Sequence, residues 1–246
     1  MRIDRIFKRL TLAMLLAGGL VACAATNPQA KAPENAVKTI ATTTSTKVQG
    51  VAPATTEAAV TNIVPAPIPP PKGYSKGVKS YLAGDFKMAL TEWTPVAEQG
   101  FAEAQYNLGH MYRKGQGVSQ NESTAVKWYT LAAEQGESAA QFNVGLMYQY
   151  GEGVPKNNEV AVKWLTLAAE QGHTFAQYNL GVIYARGQSD LTDYERAYMW
   201  SNLSAKNAKT SGGKIKELLG NIMTASQISK AEEMSNRCLN SGYTDC

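Results

Sequence analysis

The chain has 246 residues, 24 Lys plus Arg against 20 Asp plus Glu, a formal net charge of +4 and a sequence pI near 8.8. Four of the basic residues and one acid fall within residues 1–22, so without that segment the formal charge drops by three to +1, too near neutrality for a broad nucleic-acid footprint. The two histidines, His110 and His173, lie 63 residues apart and do not readily share a catalytic or metal site.

Residues 1–22 read as an export signal. Arg2, Arg5, Lys8 and Arg9 precede an uncharged stretch from Leu10 to Ala22, which is shorter than the roughly 20 apolar residues of a spanning helix. Leu20-Val21-Ala22-Cys23 resembles the lipobox of bacterial lipoproteins. That resemblance implies cleavage after Ala22, lipid on Cys23 and membrane attachment through it; the spacing Ala22-Cys23-Ala24 also suits ordinary signal peptidase. Residue 24 is Ala rather than the Asp that holds enterobacterial lipoproteins at the inner membrane, so the expected location is the outer membrane, facing the periplasm.

Residues 23–72 begin with that cysteine and turn to Ala, Thr, Pro and Val, ending in PAPIPPPKG. So few large apolar groups cannot offset the entropy of ordering, and the stretch reads as a disordered tether, stiffening toward polyproline II at Pro69 to Pro71. Its 48 residues from Ala25 to Lys72 would span roughly 40 Å as a flexible chain.

From residue 73 a ruler appears. Gly100, Gly136 and Gly172 close three Glu-Gln-Gly phrases 36 residues apart, which divides 73–208 into a short copy, 73–100, two full repeats, 101–136 and 137–172, and a divergent one, 173–208. Such periods mean stacked supersecondary units. Each unit reads as two antiparallel helices, so the expected fold is all-α, an α/α superhelix or solenoid. Ala104, Leu108, Met111 and Tyr112 fall at i, i+4, i+7 and i+8, an amphipathic stripe repeated at Ala140, Val144, Met147, Tyr148 and at Ala176, Leu180, Ile183, Tyr184. Gly109, Gly145 and Gly181 interrupt it at one register, which predicts close approach of a neighbouring helix, and Gly115, Gly151 and Gly187 are expected to end it as left-handed caps. For the second helices the expected stripe is Ala125, Trp128, Leu131, Ala132 with its copies Ala161, Trp164, Leu167, Ala168 and Ala197, Trp200, Leu203, Ser204.

The last segment, 209–246, reads as a terminator that covers the open stacking face. A short helix is expected from Lys214, then a capping box at Thr224 to Gln227 opening a helix to about Arg237. Cys238 and Cys246 follow with LNSGYTD between them. In an exported chain this reads as a disulfide loop; a metal site is the rival, without a third or fourth soft ligand nearby.

Across residues 74–208 the pattern A-Q-x-N-L-G-x-M-Y-x-x-G-x-G-V followed by A-V-K-W-x-x-x-A-A-E-Q-G resembles the Sel-one-like repeat, a relative of the tetratricopeptide repeat. Gln105 to Val118 with Ala125 to Gly136, and Gln141 to Val154 with Ala161 to Gly172, carry the likeness; Gly187 to Asp190 depart from it. The resemblance implies a protein-binding scaffold. By analogy with tetratricopeptide grooves, a column of Asn107, Asn143 and Asn179 beside Tyr106, Phe142 and Tyr178 would take a peptide or protein partner, with Arg113, Lys114, Gln149, Tyr150 and Arg186 at the rim. The competing reading packs these aromatics against the preceding repeat.

Catalytic readings are weaker. Ser211-Gly-Gly-Lys214 fits S-x-x-K and connects to cysteine-rich relatives described as β-lactamases, so a β-lactam or cell-wall hydrolase is the alternative function; the S-D-N and K-T-G companions are missing, and no Cys lies inside the repeats. GQG and GEG follow helices rather than strands and lack the Gly-Lys-Ser/Thr of a phosphate loop. The expectation is therefore no enzyme, no catalytic residues, no metal and no cofactor.

Overall fold

A computed structural model describes residues 70–187, 192–207 and 212–246. The export signal, Cys23, most of the tether, the loop after Gly187 and Ser211 lie outside them. The described residues form helices only: α1 Tyr74–Leu82, α2 Phe86–Glu98, α3 Ala102–Lys114, α4 Glu122–Glu134, α5 Ser138–Tyr150, α6 Asn158–Ala169, α7 Thr174–Arg186, α8 Tyr194–Asn207, α9 Gly212–Gly220 and α10 Ala225–Asn240. Each helix packs on the next in sequence up to α9, and α10 packs on α8, which makes an α/α solenoid of hairpins with a two-helix end.

The layers do not coincide with the repeats. One core joins Ala89, Trp93, Val96 and Ala97 of α2 to Ala104, Leu108 and Met111 of α3, with Trp128 of α4 packed on it. The next joins Ala125, Tyr129, Ala132 and Ala133 of α4 to Ala140, Val144 and Met147 of α5, with Trp164 of α6 on it. Each core thus takes the second helix of one repeat and the first of the next, so a hairpin alone could not bury its apolar faces.

Local chemistry sets the helix boundaries. Asn121 and Asn157, 36 residues apart, accept from the backbone N–H of Thr124 at 2.9 Å and Val160 at 3.0 Å, each cap being worth about 1 kcal/mol. Gly115, Gly151 and Gly187 end α3, α5 and α7 in the left-handed conformation at φ 67°, 78° and 62°.

The two repeated glutamines form a ladder. Gln105, Gln141 and Gln177 are buried, and each Nε2 donates to a carbonyl of the preceding second helix, Ala97, Ala133 and Ala169, at 3.0, 3.1 and 3.1 Å. Gln135 and Gln171 of the Glu-Gln-Gly turns then donate to the free oxygens of Gln105 and Gln141 at 2.7 and 2.8 Å. The recurring Ala-Gln and Glu-Gln-Gly phrases are one hydrogen-bonded joint between successive hairpins, and losing either glutamine would strand a buried carbonyl.

The mid-helix glycines lie against the paired second helix. A Cβ on Gly109 would sit 2.7 Å from the Tyr129 ring, and one on Gly145 would sit 2.7 Å from Leu165 Cγ; at Gly77 and Gly181 it would meet Trp93 and Ser201. Trp93, Tyr129, Leu165 and Ser201 recur every 36 residues, so the facing side chain shrinks along the stack while the glycine persists.

This corrects part of the stripe expected for the second helices: its alanines and all four members of its last copy are buried, but Leu131 and Leu167 are not. The inward residues are Tyr129 and Leu165, fully buried, whereas Leu131 and Leu167 are 44% and 45% exposed. Trp128 and Trp164 bridge to the preceding core from partly exposed positions. Second helices are gripped from two sides, and the wider apolar arc admits a stripe one position out of phase.

The end of the stack differs. Met199, Trp200 and Leu203 of α8 are buried beneath α9 and α10. Tyr198 donates to Glu232 at 3.1 Å, Lys216 reaches Asn202 at 3.0 Å, and Ser235 Oγ donates to its own helix at Ala231 O, 2.9 Å. α9 begins at Gly212 rather than Lys214, and α10 runs to Asn240, three residues past Arg237. Cys238 and Cys246 are joined by a disulfide, and Tyr243 within that loop sets its ring 3.5 Å from where a Cβ on Gly172 would stand.

Candidate functional site

The helices α3, α5 and α7 carry the expected binding column, and the structure gives its members unequal roles. Tyr106 is partly buried with its ring 5.6 Å from that of Tyr129. Phe142 stacks on His173 at 4.6 Å and lies 6.4 Å from Phe175. Tyr178 is 1% exposed, and its hydroxyl has no hydrogen-bond partner.

Intramolecular partners engage the asparagines. Asn107 Nδ2 donates to the Tyr74 hydroxyl at 3.5 Å; Asn143 Nδ2 and Asn179 Nδ2 donate at 2.7 Å to carbonyls one turn back, Ala139 O and Phe175 O. Asn143 Oδ1 also accepts from Arg113 Nη1 at 3.1 Å, while Arg113 Nε and Nη2 hold Glu152 Oε2 at 3.1 and 2.8 Å. Arg113 therefore clamps α3 to α5 and to the loop after it. The ion pair, partly open to solvent, is worth at most about 1 kcal/mol.

Rim residues further along come together around Tyr150, which is 47% exposed. Burial pushes the Tyr150 hydroxyl above its ordinary pKa, with Arg186 opposing and Glu152 adding. The Tyr178 hydroxyl is raised by the same cause, again with Arg186 opposing and Tyr150 adding, so Tyr150, Tyr178 and Arg186 share one neighbourhood. Gln149 is 5% exposed and its Oε1 is unpaired. Lys114 is exposed, and with Arg113 it lowers the pKa of His110 after burial, the larger cause.

Sequence reasoning missed Tyr129, Glu152 and His173. Glu152 stands in the GEG phrase where its counterpart is Gln116, so a charge confined to one repeat was the available signal. His173 caps α7, its Nδ1 accepting from Ala176 N at 3.2 Å, and burial depresses its pKa to about 4.

The described residues hold no cluster of three His, Cys, Asp or Glu fit for a metal ion. Lys214 is exposed near the start of α9, and its motif partner Ser211 lies outside the described residues. The second glycines of GQG and GEG have a packing cause: a Cβ on Gly117 would sit 2.6 Å from the Phe86 backbone, and one on Gly153 2.5 Å from that of Glu122, where the preceding repeat's second helix begins. Among the described residues no helix is long and apolar enough to cross a membrane.

Residues 102–137, 138–173 and 174–208 match the family model of the Sel1 repeat. Among solved structures, the chain is similar to a Sel1 repeat protein from Oxalobacter formigenes, with 33% identity and a TM-score of 0.56 over 63% of each chain. It is also similar to a protective antigen of uropathogenic Escherichia coli strains displaying an SLR fold, with 30% identity and a TM-score of 0.44 over 70% of this chain and 46% of that one. The chain thus spans less than two thirds of either relative. No curated protein matches it.

Proposed function

We propose that these three Sel1 repeats are a non-catalytic scaffold that binds a protein or peptide partner, held at a bacterial cell envelope by lipid on Cys23. Sel1 repeat proteins are generally protein-interaction scaffolds, and function carried from a repeat fold rests on such precedent until a site supports it. The observation that carries the reading here is the α5–α7 step, where Tyr150 stands half-exposed beside Arg186 while the Glu-Gln-Gly and Gly-x-Gly phrases are consumed by joints between hairpins. The repeats' signature residues build the frame, and the side chains that differ between repeats are left to contact a partner.

Crosslinking in intact cells, followed by purification of the tagged chain from membranes, tests this. The expected result is one partner recovered with the natural chain and with Lys163→Ala on an outer helix, and lost with Tyr150→Ala. Recovery that ignores Tyr150→Ala would reject the site, and no partner at all would reject the scaffold. Cys23→Ala should release the chain from the membrane fraction; retention there would reject the lipid anchor.

A further inference from the structure

The step from α3 to α5 and the step from α5 to α7 repeat the same positions with different side chains. In the first, Arg113 spans the gap to Asn143, and Phe142 stands on the far helix. In the second, Gln149 stands at the register of Arg113, Asn179 at that of Asn143 and Tyr178 at that of Phe142. Gln is shorter than Arg and carries an acceptor in place of a cation; Asn179 spends its Nδ2 on Phe175 O, and Gln149 Oε1 finds no donor. Tyr178 adds a hydroxyl that Phe142 lacks, and that hydroxyl is unmatched too. Both side chains are more than nine-tenths buried. An unpaired buried oxygen is costly to keep; the Tyr129 and Ser201 hydroxyls are single cases elsewhere in the stack, whereas two at one step point to a ligand that completes them.

We infer that the α5–α7 step is a main-chain subsite that takes one backbone amide of an extended segment of a partner protein: its N–H donates to Gln149 Oε1, and its carbonyl accepts from the Tyr178 hydroxyl. A secondary amide presents one donor and one acceptor on opposite edges, which is the complement of these two groups. Tyr150 and Phe175, 47% and 49% exposed on the same two helices, supply apolar surface for the flanking side chains, which favours a peptide over the N-acetyl group of a sugar, the other common source of that amide. Both polar atoms are sealed from solvent, so entry requires neighbouring side chains to move aside. The step between α3 and α5 takes no such ligand, because Arg113, Asn143 and Glu152 close it from within. This inference rests on the scaffold reading and adds to it the place and the chemistry of recognition.

The test uses the full chain and short peptides selected on it from a randomised display library, resynthesised with single N-methylated backbone amides. N-methylation at one position should weaken binding about tenfold, the effect of one lost hydrogen bond. Gln149→Met and Tyr178→Phe should each weaken the unmodified peptide by a similar factor and weaken the N-methylated peptide no further; Phe already stands at position 142, so the fold accepts the second change. Peptides indifferent to N-methylation or to both substitutions would overturn the subsite, as would failure to select any peptide or competition by N-acetylglucosamine at peptide concentrations. A crosslinked cellular partner that survives both substitutions would overturn the subsite while leaving the scaffold standing.

Discussion

Leu167 in the second full repeat and Leu203 in the copy that follows hold the same register position, yet one is 45% exposed and the other fully buried. One turn earlier the contrast is written in the residues themselves: Lys127 and Lys163 stand exposed where Met199 is 1% exposed. The helices α4 and α6 present that face to solvent, while α8 meets α9 and α10 on it and is buried continuously from Ala197 to Ser204. Register alone therefore decides which residues face the stack. What lies on the outer face depends on whether a further element arrives, and the exchange of Lys for Met marks where it does.

The sharpest way to break this comparison is Leu203→Ala against Leu167→Ala. The first should cost about 2–5 kcal/mol and the second no more than about 0.5, read from urea midpoints; equal costs would mean that the C-terminal helices do not seal α8. Removing the seal's covalent tie comes next. Cys238→Ser should cost roughly 2.5 kcal/mol by the entropy of closing so short a loop, with limited proteolysis cutting α10 before the repeats.

Within the stack, Gly145→Ala forces a methyl into Leu165 and should cost about 1–3 kcal/mol, part of it recovered in a Gly145→Ala, Leu165→Ala double variant. An additive double variant would deny the close approach. Smallest, and of opposite sign, Tyr178→Phe should raise the thermal midpoint of the free protein, worth up to about 1 kcal/mol, because it removes a buried hydroxyl without a partner. A drop instead would show that the hydroxyl is satisfied within the chain.

Much of this architecture was legible in the residue order. The 36-residue ruler, the amphipathic stripes of α3, α5 and α7, their left-handed glycine ends and the capping box of α10 follow from short-range rules that a linear pattern displays. In the second helices the alanines and the last copy of the stripe are buried as expected, but the linear pattern puts Leu131 and Leu167 inside where Tyr129 and Leu165 stand, because with buried residues on two sides either pair fits the apolar arc. The expected column of asparagines was visible as a column, but its partners were not. Arg113 and Glu152 are 39 residues apart on different repeats, and nothing in their spacing says that the guanidinium turns to Asn143 and Glu152 rather than outward.

Periodic burial, then, belongs to the sequence by itself. A residue type that returns every 36 positions is answering the same neighbour each time, and it specifies the hairpin, its ends and the glutamine joint between hairpins. The tertiary structure alone decided which departures from the period matter. Gln149 and Tyr178 look like ordinary substitutions along the chain, and their unmatched oxygens appear only when α5 and α7 are set side by side, because hydrogen-bond satisfaction depends on distance and direction across the gap and not on order along the backbone.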